Sequence, residues 1–371
     1  MSRPGGSKSK EYKIQSVISG LLAVTLCFCL CGTASADGDP AADAAERLRA
    51  GLTDSEESID LTDCRLPRDR LSGVLTGVLL DNPELFHTDS RMSFTYDREG
   101  YVLAVFPTYT LSGAELIEAR RLYRDTVDAF CRELAAARAE PSDGAWTEAD
   151  TVLLAHEWLA LRCAYDGSGT RFDAYSLFRD GLGVCQAYAL AFLALMRAAG
   201  LDAEVVVSGE MDHAWNRVRA DGEWFLVDVT RDDTGIPAGK PAGSPAGAPA
   251  SGAVRHDRLF MTDETAAALG YAGYDVPDGR ACVSARFADA DDLPGCVTAL
   301  VRAGGCWYTD KDGLPARVRL SDGAVGLPGD TDGDGSLSLR DLLLADSLWE
   351  NSNRTDRLRL ALLDRAGFEK S

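Results

Sequence analysis

The stretch from Gly181 to Thr230 leaves this chain few ways to fold. Gly181-Leu182-Gly183-Val184 makes a tight approach to the next element. From Cys185 to Ala199, Tyr188, Phe192, Leu195 and Met196 recur at helical spacing, and that period puts them on one face of a helix. Gly200 stands where a helix of this kind ends. Ala203 to Val207, His213 to Val218 and Trp224 to Val229 then read as strands, and Asp221-Gly222 between the last two is a strong hairpin turn. A helix succeeded at once by an antiparallel sheet predicts an α+β core.

The flanks are read around that core. Residues 37–140 form an α+β preface, with helices from Ala41 to Leu52 and from Pro67 to Leu80. A hairpin joins Met92–Tyr96 to Tyr101–Pro107. Ser112 with Glu115, and Thr147 with Asp150, resemble capping boxes that open helices, the second carrying His156 and Trp158. The core domain is placed at 141–320. Within it, residues 236–253 are a Pro/Ala/Gly repeat that cannot bury a core, a linker or an inserted loop. Residues 254–327 give only weak strand signals. An acidic, then helical tail occupies 326–371.

Export is expected from residues 1–36. Arg3, Lys8, Lys10 and Lys13 precede an apolar run from Val17 to Cys31, and Ala34-Ser35-Ala36 supplies a cleavage signal. Cleavage would remove four basic residues and one acid, taking the net charge from -20 to -23. So acidic a chain is a poor nucleic-acid binder, and no other stretch is apolar enough to span a bilayer. It would also leave seven cysteines, an odd count in an exported protein, which points to one reactive thiol.

Cys185 suits that thiol. It stands where a glycine turn enters a helix, and free N–H groups there favour a thiolate. A nucleophilic thiol needs a base and a group to orient the base. With Asp221-Gly222 as the turn pair, His213 lies opposite Thr230; with the turn on Ala220-Asp221, it faces Asp228. In either register His213 and Asp228 leave the same sheet face, since facing alternates with period two. The N-terminus of the helix must then pack on that face to complete a Cys–His–Asp set.

Gly-Val-Cys185-Gln-Ala-Tyr188-Ala, Asp212-His213-Ala-Trp215-Asn216 and Trp224-Phe-Leu-Val-Asp228-Val-Thr230, in that order, resemble the transglutaminase-like superfamily of bacterial exported proteins. His156, Glu157, Trp158, Tyr165 and Asp166 upstream fit the same pattern. The resemblance implies a papain-like fold, the cysteine helix packed on an antiparallel sheet. It implies Cys185 as nucleophile, His213 as base and acid, and Asp228 as orienting carboxylate, with no cofactor for catalysis. Tyr165, Gln186 and Trp215 are expected to line the substrate cleft. A helical His-Glu-x-x-His would bind zinc, but residue 160 is Ala, so His156 reads as packing. His87 and His256 carry no signal.

The tail contains a second pattern. Asp330, Asp332, Asp334, Ser336, Ser338 and Asp341 occupy positions 1, 3, 5, 7, 9 and 12 of a twelve-residue loop with Gly335 at position 6, a layout that surrounds calcium with oxygens. Leading into a Leu-rich helix, it resembles a type I dockerin whose second repeat, from Asn351, has lost its acidic series. The resemblance implies a cohesin domain on a scaffold protein or cell surface as partner, with Leu339 and Arg340 as contacts.

Together these readings predict a secreted cysteine enzyme acting on peptide or protein amides, as protease, deamidase or cross-linking enzyme. The alternative is a non-catalytic module binding peptide or glycan. With Cys185 assigned, the other six cysteines are expected to pair, one bond joining two of Cys282, Cys296 and Cys306.

Overall fold

The computed structural model describes residues 8–12, 39–140, 145–233, 254–289, 292–298, 300–303, 305–311, 314–338, 340–342 and 344. Strand β1 is Lys8–Tyr12. Helix α1 (Pro40–Thr53) starts at Asp39, whose carboxylate accepts from the Ala41 N–H at 3.1 Å. After β2 (Ile59–Asp60) come α2 (Leu71–Asp81) and the hairpin β3 (Thr88–Tyr96) and β4 (Val102–Tyr109). The sheet order is β1-β3-β4-β2. Leu48, Leu52, Leu75, Val102 and Val105 join α1 and α2 to this sheet in one apolar cluster. Lys8–Tyr12 thus pairs as an edge strand with Met92–Tyr96 inside the stretch read as a leader, while the apolar run and cleavage signal lie outside the described residues.

Helix α3 (Gly113–Ala139) comes next. Ser112 precedes it, but its side chain makes no capping bond, so that expected box does not form. The box at Thr147 does form: Thr147 Oγ1 accepts from Asp150 N at 3.2 Å, and Asp150 Oδ2 accepts from Thr147 N at 2.9 Å. It opens α4 (Glu148–Ala160), buried almost along its length. Strand β5 (Ala164–Tyr165), α5 (Ala174–Asp180) and β6 (Leu182–Gly183) lead to α6 (Cys185–Ala198). The second sheet has the order β7 (Ala203–Ser208), β8 (His213–Ala220), β9 (Glu223–Val227). Phe130, Leu153, Leu177, Phe192 and Val218 lie in the cluster that binds α3 to α6 and this sheet into one core.

Helix α7 (Val229–Asp232) ends this run. Residues 236–253 lie outside the described residues. Beyond them, α8 (Asp263–Ala268) and a small antiparallel sheet of β10 (Val301–Ala303), β11 (Cys306–Lys311) and β12 (Leu314–Val318) complete the fold, so the weak strand signals were real. No described helix is long and apolar enough to cross a membrane.

The disulfide expectation fails. Cys64, Cys131, Cys185, Cys282, Cys296 and Cys306 are free thiols. Cys282 packs with Trp215 and Tyr271, while the Cys296 thiol contacts the Asp292 carbonyl and Cys306 begins β11, so the three serve different surroundings. Buried thiols of this kind act as small apolar side chains.

Candidate active site

The loop before Cys185 is built to hold it. Asp166 accepts bonds from Ser168, Thr170 and Arg171 backbone N–H groups at 3.0–3.2 Å. Hydrogen bonds led by Ser168 hold its carboxyl well below the usual range. The Arg171 carbonyl in turn receives the Val184 N–H at 3.0 Å. Gly183 is needed for close approach, because a Cβ there would stand 2.7 Å from Ala187 Cβ and 2.8 Å from Leu177 Cδ1. Val184 then caps α6 without a side-chain bond of its own to the first-turn N–H groups beside Cys185.

The hairpin register is Asn216 opposite Val227 and Ala220 opposite Glu223, with Asp221-Gly222 as the turn pair. β9 stops at Val227. Asp228 is the N-cap of α7, its Oδ1 accepting from Arg231 N at 3.2 Å. Its Oδ2 lies 2.6 Å from His213 Nε2. Both residues are buried.

The helix does not lie on the face expected. Ala214, with Val205 and Val207, meets Cys185 and Ala189 of α6, and Asn216 Nδ2 donates to the Ala189 carbonyl at 2.9 Å. His213 and Trp215 alternate to the opposite face, which Met261 and Tyr271 cover with Val206 and Leu226. Cys185 and His213 come together because each is the first residue of its element, at one end of the sheet. Burial opposes a charge on His213, but Asp228 and then Cys185 favour it, and its pKa is pushed up to about 9.

Three neighbours complete the surroundings. Tyr271 donates its hydroxyl to Asp228 Oδ2 at 2.5 Å, so this carboxylate oxygen serves both Tyr271 and His213. The Arg231 guanidinium lies over the Tyr271 ring, 4.6 Å from its centroid, and 3.8 Å from Asp228 Oδ2. Asp212, with φ 48°, turns the chain into His213. The loop before it is tied to the Tyr271 segment, since Ser208 Oγ donates to the Ala272 carbonyl at 2.6 Å. No signal in the sequence singled out Tyr271, which arrives from the weakly patterned region beyond residue 253.

The expected cleft residues divide. Tyr165 is 52% exposed, and after burial the largest influence raising its pKa is Cys185, so it stands at the mouth of the site. Trp215 is 1% exposed and does not line a cleft; its ring stacks behind His213 at 5.6 Å between centroids. Gln186 faces a separate cavity of about 350 Å³ with Asn82, Phe86 and Phe172, its Oε1 buried without a partner.

The acidic loop is docked against the last sheet. Asp330 Oδ1 and Oδ2 accept from Gly333 N and Gly335 N at 2.7 and 2.9 Å. Asp341 accepts from Thr331 N and Ser338 N at 2.8 Å each, closing the loop. Asp332 pairs with Arg340, and Asp334 accepts from Ser336 N at 2.8 Å. Tyr308 of β11 donates to the Thr331 carbonyl at 3.0 Å, and Arg317 of β12 to that of Asp332 at 2.9 Å. One oxygen from each of Asp330, Asp332 and Asp334 falls within 4.8 Å of the others. Leu339 and the Asn351 repeat lie outside the described residues.

Residues 136–229, which include Cys185, His213 and Asp228, match the family model of the transglutaminase-like superfamily. Comparison with curated proteins gives no match. Among solved structures, a TGase matches at 16% identity and TM-score 0.25, over 42% of this chain and 47% of its own. A candidate cysteine protease from Cytophaga hutchinsonii matches at 15% identity and TM-score 0.23, over 38% of this chain and 62% of its own. The chain therefore spans less than two thirds of either structure.

Proposed function

We propose that the protein is a cysteine-dependent acyl-transfer enzyme acting on peptide or protein amides. The observation that carries this reading is His213, held by Asp228 at 2.6 Å on Nε2 and charged in part by Cys185 at the open N-terminus of α6. A transglutaminase-like core supports it.

Chemistry follows from the placement. His213 takes the Cys185 proton as base, and Asp228 stabilises the imidazolium that forms. The sulfur attacks the amide carbon. The C–N bond breaks, and the departing nitrogen takes the proton from His213. A thioester remains. Water or an amine then attacks it, His213 receives the incoming proton, and the sulfur leaves as thiolate. Water gives hydrolysis or deamidation; a lysine amine gives cross-linking. The Cys185 backbone N–H is the candidate donor to the oxyanion. Asp228 holds the ring, and Tyr271 and Arg231 hold Asp228.

The rest of the reading concerns placement of the enzyme. We take it as secreted, with the loop from Asp330 to Asp341 binding calcium and the tail docking to a cohesin through Arg340 and Leu339.

Rapid alkylation of Cys185 by iodoacetamide and turnover of a peptide library are the expected results, both lost in Cys185→Ala. If the wild-type protein shows neither, the site is a binding surface only and the enzyme reading fails.

A further inference from the structure

A second polar cluster lies apart from this site. His156 of α4 is fully buried, and its Nε2 is 3.0 Å from Asp232 Oδ2. The other oxygen of Asp232 accepts from Arg258 N at 3.1 Å. An accepting carboxylate puts the hydrogen of His156 on Nε2 and leaves a lone pair on Nδ1, which is buried and has no hydrogen-bond partner. His256 is also fully buried. Its Nδ1 lies 3.0 Å from the Cys296 carbonyl, which can only accept, so Nδ1 carries the hydrogen and Nε2 the lone pair.

That lone pair points at a carboxylate. His256 Nε2 is 2.5 Å from Glu157 Oε1, which also receives the Leu300 N–H at 3.1 Å. Two acceptors so close need a positive species between them. A proton would satisfy that contact alone. It would leave His156 Nδ1 and Glu157 Oε2 buried and unpartnered, which native structures rarely tolerate. A cation held by His156 Nδ1, Glu157 Oε2 and His256 Nε2 would give the unpartnered atoms a partner. One ligand atom from each of His156, Glu157 and His256 lies within 4.8 Å of the others.

We propose that His156, Glu157 and His256 bind a divalent transition-metal ion of the zinc class. Two imidazoles and one carboxylate suit zinc rather than calcium, which takes oxygen ligands. Each imidazole is already oriented from behind, one by a carboxylate and one by a backbone carbonyl, as metal-bound histidines are. The ion joins α4 to the segment beyond residue 253 and so fastens the two sides of the 234–253 stretch. Through Asp232 it braces the turn that begins at Asp228, which makes it structural rather than catalytic.

The test uses the full chain carrying Cys185→Ala, so that the thiol beside His213 cannot compete for metal. After chelator dialysis, zinc chloride should restore one zinc per chain and raise Tm by roughly 5–10 °C at saturation. Magnesium should not substitute. Adding Glu157→Gln or His256→Gln should abolish both the stoichiometric zinc and the rise. Should those variants fail to fold, cobalt in the Cys185→Ala chain should give visible absorption without a thiolate charge-transfer band. Zinc that fails to bind, zinc retained in both folded variants, or a thiolate band overturns the assignment.

Discussion

The molecule holds two buried histidine–aspartate pairs at opposite ends of one short helix. Asp228 caps the start of α7 and lies 2.6 Å from His213; Asp232 ends it and lies 3.0 Å from His156. The two imidazoles nevertheless behave oppositely. His213 is pushed up to about 9, because Asp228 and Cys185 outweigh the cost of burial. His156 is pushed well below its ordinary value, first by complete burial and then by its neighbour His256. An imidazole–carboxylate pair is therefore not by itself a catalytic device. The third group and the access of solvent decide whether the ring can hold and release a proton near neutral pH.

The largest effect should come from exchanging the carboxylates. Asp228→Asn should lower kcat/KM by on the order of 10³–10⁴-fold, since the amide no longer stabilises the imidazolium. Asp232→Asn should change it by less than about tenfold, because it serves the ring that does not shuttle protons. Steady-state kinetics on one peptide substrate reads both. Equal losses would mean that the two pairs form one unit and would erase the contrast between them.

Stability against pH separates the pairs next. The folded pKa of His213 lies above its ordinary 6.5. Its stabilising contribution is therefore complete below about 6.5 and is lost as pH rises through about 9. A rise of this size corresponds to at most about 3 kcal/mol. Denaturant midpoints of the wild type should fall between pH 6.5 and 9.5 by more than those of His213→Gln. A parallel pH dependence in the two proteins would assign the fall to other groups.

Both pairs differ in how readily the sequence discloses them. Cys185, His213 and Asp228 sit in contiguous patterns, where a glycine turn, a helical period and an Asp-Gly hairpin each have a local cause. That locality is why the helix and the hairpin are legible in the sequence, whereas Asp228 reaches His213 from the N-cap of α7, past the end of β9. The packing of α6 on the opposite face is not legible, because period two states which residues share a side but not which element covers it. The burial of Trp215 behind His213, away from any cleft, escapes the pattern for the same reason. His156, Glu157 and His256 meet only across residues 157–256, a separation no local period spans. Tyr271 belongs to the same class, supplied by a distant segment with weak patterning. The thiols show a further limit: counting cysteines assumes pairing, whereas Cys282 sits in one apolar cluster and Cys131 and Cys163 pack against another.

Tyr271 offers a finer test of what sets the pairs apart. It donates to the Asp228 oxygen that holds His213, while its ring packs edge-on against Trp215 at 5.0 Å. Tyr271→Phe keeps the ring and deletes one hydrogen bond to a charged group, worth about 1.5–3 kcal/mol. Asp228 would then be shared by fewer donors and would bind His213 more strongly. The alkaline limb of the kcat/KM profile should move upward in pH, with a rate loss of about tenfold or less. An unchanged limb would show that Tyr271 only packs.

The smallest effect on chemistry should come from the acidic loop. Asp330 and Asp341 are buried and spend their oxygens on the loop's own N–H groups. Asp332 and Asp334 are less enclosed and crowd each other, a repulsion that calcium would relieve. Calcium should therefore protect the chain beyond residue 325 from limited proteolysis, and Asp334→Ala should abolish that protection. Turnover at the cysteine site should stay the same with calcium or with chelator, because Tyr308 and Arg317 already fasten the loop through its backbone carbonyls. Activity that rises with calcium in the wild type but not in Asp334→Ala would instead couple the loop to the site, through the sheet that Trp307 ties to Asp150 of α4 at 2.9 Å.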